Sequence, residues 1–156
     1  FGATLRYKMF DFGLFFSGVG KTHRILGGET WLPASSIGAG NIWSNIDSRW
    51  TEANPRQDVF WPRMSTTTYK NNEQPSTWWL KDMSFLRLKN IEVGVTLPEQ
   101  WTHAAKIREC RIFLRGNNIL TFSKFKMWDP EIGSNDGLKY PVMKSVSLGV
   151  SFNFNN

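Results

Sequence analysis

Five stretches of this sequence alternate between apolar residues and small or polar ones, and the connections between them alternate between very short and very long. The last stretch is the clearest. In residues 144–154, Val146, Leu148, Val150, Phe152 and Phe154 are apolar, while Ser145, Ser147, Gly149, Ser151 and Asn153 are small or polar. A period of two is the mark of a strand whose two faces meet different surroundings. No helix buries such a pattern on one side.

The other stretches carry the same signal. In residues 1–8, Phe1, Ala3, Leu5 and Tyr7 alternate with Gly2, Thr4, Arg6 and Lys8. In residues 10–17, Phe10, Phe12, Leu14 and Phe16 share one parity. Only Met9 separates these two strands, so they form a tight hairpin. In residues 84–97, Leu86 and Leu88 share one parity and Ile91, Val93, Val95 and Leu97 the other. A bulge at Lys89–Asn90 is therefore expected. In residues 108–122, Cys110, Ile112, Leu114 and Gly116 fall on one face, with Arg111, Phe113, Arg115 and Asn117 on the other.

The connections fall at residue 9, 18–83, 98–107 and 123–142. A short helix fits within 100–107. Residues 18–83 are rich in Gly, Pro and Asn and hold Trp31, Trp43, Trp50, Trp61, Trp78 and Trp79. A loop of that length is usually functional. Successive antiparallel connections lie at opposite ends of a sheet, so both short ones share one end and both long ones the other. Outer-membrane barrels have this asymmetry, with short periplasmic turns and long extracellular loops. A strand of roughly 11 residues also suits a tilted crossing of the bilayer. Five strands cannot close such a barrel, and open edges in hydrocarbon leave backbone groups unsatisfied, so flanking strands are expected. A soluble β-sandwich acting as a carbohydrate-binding module shows the same alternation and is the rival. Gly13, Gly94 and Gly149 sit mid-strand on the polar face, where glycine implies a close approach; a plug filling the barrel lumen would supply it.

Composition closes off other classes. One cysteine, Cys110, excludes a disulfide framework and multi-thiolate zinc sites; it reads as a small packing residue. His23 and His103 lack metal-ligand spacing. Mean hydropathy is −0.37, and no 18-residue apolar run marks a membrane helix. A net charge of +6 is scattered rather than clustered, so no nucleic-acid partner is expected. Asp129, Glu131, Asn135 and Asp136 crowd one loop, but their spacing fails the EF-hand pattern and a solvated turn accounts for them. No catalytic constellation appears. We expect no enzyme, no cofactor and no metal. The chain opens at Phe1 without a signal peptide and directly in a strand, so it is expected to be part of a longer polypeptide.

Four motifs, in order, carry a family resemblance. The segment Ser84-Phe-Leu-Arg-Leu-Lys-Asn-Ile-Glu-Val-Gly-Val-Thr-Leu-Pro98, the strand Arg111-Ile-Phe-Leu-Arg-Gly-Asn-Asn-Ile-Leu-Thr-Phe122, the tetrapeptide Trp128-Asp-Pro-Glu131, and Tyr140-Pro141 followed by Ser147-Leu-Gly-Val-Ser-Phe-Asn-Phe154 resemble the C-terminal region of SusC/RagA-type TonB-dependent transporters. Val95 stands where an aromatic is usual, and Asn155-Asn156 trail the usual terminal Phe. The resemblance implies an all-β fold, the C-terminal part of a 22-stranded transmembrane barrel with long extracellular loops in the cell outer membrane of Bacteroidetes. It implies import of glycans or peptides, an oligosaccharide or peptide substrate, a SusD-like surface lipoprotein as partner, contact with outer-membrane lipid, and coupling to the TonB–ExbB–ExbD complex through an N-terminal region that this sequence does not include.

Within that frame, Trp31, Trp43, Trp50 and Trp61 in the first long loop and Trp128 in the second are candidates for stacking on ligand. The alternative is that they form the loop's own core. Trp78, Trp79 and Trp128 are candidates for an interfacial aromatic girdle. Arg87, Arg111, Arg115 and Asn117, with Arg6 and Lys8, fall on the expected lumen face, where the basic groups would pair with carboxylates of the plug.

Overall fold

The computed structural model describes residues 1–28, 31, 42–64, 70–103 and 106–154. The turn signals at Pro33, Gly38 and Gly40 and the terminal Asn155–Asn156 departure lie outside them. Among the described residues seven strands form: β1 Gly2–Tyr7, β2 Phe10–Val19, β3 His23–Ile25, β4 Leu80–Asp82, β5 Phe85–Thr96, β6 Ile107–Ser123 and β7 Ser145–Phe154. Five of them make one antiparallel sheet in the order β1-β2-β5-β6-β7, and β3 pairs with β4 alone. Among the described residues no helix is long and apolar enough to cross a membrane. The chain divides into two compact units.

The first unit is the five-stranded sheet with residues 1–22, 83–131 and 141–156. Tyr7 pairs with Phe10, so the hairpin turn is Lys8-Met9, with Lys8 at a φ of 53°. A positive φ there matches the twist of two-residue hairpin turns. The register aligns the apolar positions into rows. Leu5, Phe12, Val93, Leu114 and Leu148 lie side by side across all five strands, as do Tyr7, Phe10, Val95, Ile112 and Val150. Past the middle of β5 the parity must change. Lys89 has no partner in either neighbouring strand, and the register shifts there on both sides. This bulge returns Leu88 and Leu86 to the same face as Ile91, opposite Leu120 and Phe122.

The apolar face is not sealed. Val146 is 67% and Leu148 73% exposed, and Leu5, Val93, Leu114 and Phe152 are also exposed. A β-sandwich would bury such side chains between two sheets. At one end a helical turn, Glu99–Thr102, packs against β6, where Cys110 is buried.

The second unit comprises residues 23–82 with 132–140. The described part of the long connection is thus a folded body rather than an irregular loop. It has its own core of indoles: Trp31 lies 4.9 Å from Trp61, 5.7 Å from Trp79 and 5.8 Å from Trp43, centroid to centroid. Segment 132–140 is bound into it, since Gly27 N–H donates to the Asn135 carbonyl (3.0 Å) and Arg24 to the Asn135 side chain (3.1 Å).

Candidate functional site

The face opposite the apolar rows carries the charged groups, because alternation leaves every second residue of each strand on it. Arg6 and Asp11 are cross-strand partners, and Asp11 faces Gly94 on β5. Glu92 lies between Gly13 and Arg115 in the next row. Arg111 bridges the rows. Its Nε donates to Asp11 Oδ1 at 3.0 Å, its Nη2 pairs with Asp11 Oδ2, and the same nitrogen donates to Glu92 Oε1 at 2.6 Å. Arg115 Nε donates to the other Glu92 oxygen at 2.5 Å. The result is a line of alternating charge, Asp11–Arg111–Glu92–Arg115, partly screened from solvent on both carboxylates.

Two glycines make room for it. A Cβ on Gly94 would lie 2.6 Å from Asp11 Oδ1 and 2.5 Å from Arg111 Nη2, and one on Gly149 would collide with the Phe113 ring. Phe113 is the register partner of both glycines. Its ring lies over the missing side chain of Gly149, with the guanidinium of Arg111 4.9 Å and that of Arg115 5.3 Å from its centroid. Both arrangements favour a cation over the ring face. The close approach that these two glycines signal therefore comes from the sheet's own side chains, not from a plug. Gly13 has open space above it. It floors a hollow of about 510 Å³ lined by Thr4, Arg6, Asp11, Asn90 and Glu92, among others.

A second cluster lies further along the same face. Arg87, 1% exposed, pairs with Asp129 Oδ1 and places its Nε 3.1 Å from Glu131 Oε2. Lys89, displaced by the bulge, reaches the other Glu131 oxygen at 2.8 Å. Asp129 and Glu131 thus serve as counter-ions. Among the described residues no group of three acidic, histidine or cysteine side chains is arranged to hold a metal. Asp136 is used differently: the Ser134 hydroxyl donates to it at 2.5 Å and Leu138 N–H at 3.0 Å. Those bonds hold its carboxyl below the ordinary value of 3.8.

Of the residues expected to line a lumen, Arg87, Arg111, Arg115 and Asn117 share the polar face of the sheet; the arginines pair with Asp129, Glu131, Asp11 and Glu92 of this chain where plug carboxylates were expected, and Asn117 donates to Ser145 Oγ at 3.0 Å. The tryptophans separate into two groups. Trp31 and Trp61, 1% and 0% exposed, are core residues of the second unit, and their ring faces are covered by other rings. Trp79 is buried with them, which takes it out of any interfacial girdle. Trp43 is half-buried and donates its Nε1 to the Trp31 carbonyl. Trp128 packs edge-on against buried Phe125, 4.9 Å away. Trp50 lines an open cleft, about 490 Å³, with Trp78, Pro75 and Arg63 among its walls.

Asp11 and Glu92 are the partners that sequence reasoning did not single out. Their signal was parity, since both share a face with Arg111 and Arg115, but only the register brings acid beside base.

No family model matches the chain. It is 30% identical, across 99% of its length, to TonB-dependent receptor P3 of Formosa agariphila, and 33% identical, across 51%, to TonB-dependent receptor SusC of Bacteroides thetaiotaomicron. It covers 16% of the first and 8% of the second. The RagAB peptide importer in its open-open state has the same fold over 98% of this chain, with a TM-score of 0.73 at 25% identity and 16% of that chain covered. The chain thus spans about one sixth of the length of the relatives it matches from end to end.

Proposed function

We propose, from the premise that this chain belongs to the SusC/RagA-type TonB-dependent receptors, that its sheet forms part of the wall of an outer-membrane barrel that imports glycans or peptides. The observation that carries this is the uncharged apolar face, continuous across five strands and exposed. Turned to hydrocarbon, such a face is stabilised; turned to water, it would aggregate.

In this reading the Asp11–Arg111–Glu92–Arg115 line, Arg87 and Asn117 face the lumen. The Lys8-Met9 turn and the 97–106 connection face the periplasm, and the second unit lies outside the cell. β1 and β7, the edges of the sheet, pair with further strands of the same barrel, because unpaired backbone groups cost several kcal/mol each in lipid. A SusD-like surface lipoprotein covers the outer mouth, and the TonB–ExbB–ExbD complex drives release of the substrate. The two-component name of the RagAB importer supports the lid.

The test is cellular. Deleting the full-length receptor should abolish uptake of a labelled oligosaccharide or peptide that the wild type imports. The tagged receptor should come from the outer-membrane fraction with a lipoprotein attached. Recovery of the receptor from the soluble fraction would end this reading.

A further inference from the structure

The cleft beside Trp50 is built entirely from the second unit and has no part in the ion-pair network of the sheet. Its volume, about 490 Å³, lies in the ~300–1,000 Å³ range of small-molecule sites. Three tryptophans line it, Trp50, Trp78 and the buried Trp79. Trp78 donates Nε1 to the Phe60 carbonyl at 3.2 Å, and Trp50 N–H donates to the Trp61 carbonyl at 2.9 Å. Trp50 and Trp78 are half-buried residues that line the cleft, and the Lys81 ammonium lies 5.8 Å from the Trp78 centroid.

Between the rings stand neutral hydrogen-bonding side chains. Gln57, Asn71 and Gln74 line the cleft, are exposed, and make no side-chain hydrogen bond among the described residues. Asn72, by contrast, is tied down: its carbonyl accepts from Trp79 Nε1 at 2.9 Å and its amide donates to the Arg63 carbonyl at 3.3 Å. Arg63 lies 6.0 Å over the Trp50 ring and is already paired with Glu52 at 3.6 Å. No carboxylate of the described residues lines the cleft.

We infer that this cleft binds an uncharged oligosaccharide, with one pyranose ring lying on Trp50 or Trp78 and its hydroxyls met by the carboxamides of Gln57, Asn71 and Gln74. A sugar offers an apolar C–H face to an indole and donor–acceptor hydroxyls at its rim, which is what flat rings fringed by free amides complement. A peptide asks for different partners. Its ammonium terminus finds no carboxylate on the described walls, and Arg63, the cation that could meet its carboxylate terminus, is already paired with Glu52. This inference deepens the transporter reading and rests on it for a purpose, since an uptake receptor has use for an outer sugar-holding site.

The test uses the purified full-length receptor in detergent micelles. Hexasaccharides of glucose, xylose and mannose, in separate titrations, are followed by tryptophan fluorescence and calorimetry, with a mixed hexapeptide library as the comparison. At least one sugar should bind saturably. Trp50→Ala should weaken that binding about tenfold, Trp50→Phe should retain most of it, and Gln57→Ala should weaken it a few-fold, all at an unchanged melting temperature. No binding by any of the three sugars would overturn the inference, as would sugar binding indifferent to Trp50→Ala and Gln57→Ala, or peptide binding that Trp50→Ala abolishes. Uptake by cells expressing the receptor is scored separately. If uptake persists while the purified receptor binds no sugar, the cleft assignment falls and the transporter reading stands.

Discussion

A charge placed on the apolar face should be far more damaging than the same charge one residue away. Leu148 is 73% exposed and lies in the central row of the sheet with Leu114 and Val93. β7 has ten residues, Ser145–Phe154, so Leu148 is about one and a half residues from its middle. At ~3.3 Å per residue and a tilt of ~45°, the proposed barrel with this strand centred in the bilayer puts Leu148 roughly 3–4 Å from the midplane. Leu148→Arg should therefore destabilise the full-length receptor by about 2–4 kcal/mol. Ser147 points to the other face, directly opposite Arg115, and Ser147→Arg should cost roughly 0.2–1 kcal/mol from like-charge proximity. Urea unfolding of the receptor in lipid vesicles measures both. Spin labels at Leu148→Cys and Ser147→Cys give an independent reading: the first should be accessible to dissolved oxygen, the second to a water-soluble nickel complex. Equal costs for the two arginines, or a nickel-accessible label at 148, would refute the assignment of faces.

Other outcomes follow from the polar face and the second unit. Arg111→Met takes the paired guanidinium from Asp11 and leaves Glu92 with Arg115, and should cost about 2 kcal/mol, between the values for buried and exposed pairs. Arg115→Met, at a guanidinium 49% exposed, should cost under ~1 kcal/mol by the same unfolding assay. Gly149→Ala forces a methyl into the Phe113 ring and should cost about 1–3 kcal/mol, whereas Gly13→Ala, which meets open space, should change stability by less than ~0.5 kcal/mol. Asp136 has its folded-state pKa lowered below 3.8, so its contribution is fully present above that pH and is lost as pH falls through the lowered value. Asp136→Asn should remove this acid-dependent part of the second unit's unfolding, read by tryptophan fluorescence between pH 5 and about pH 2.

The five long strands were legible because alternation records two different surroundings, and that record is local. The bulge was legible too, since a parity flip between Leu88 and Ile91 has one economical explanation. What escaped the sequence was non-local. β3 and β4, three residues each, are too short for a period to show. The partners of Arg111 depend on register, as does the fact that Phe113 and Arg111 fill the spaces over Gly149 and Gly94. The tryptophans were visible as a group, but which of them are core and which line a cleft depends on how residues 42–64 and 70–79 are placed around Trp31. The acidic loop divides for the same reason: Asp129 and Glu131 neutralise a buried arginine, while Asp136 closes a turn.

The clasp between Gly27, Arg24 and Asn135 has a mechanical consequence. Two connections that leave the sheet from different strands end in one body, so a pull on either tip is shared by both stems. A protease cut within one of them would leave its ends held by the other, and the nicked arm would keep its form until the clasp itself opened.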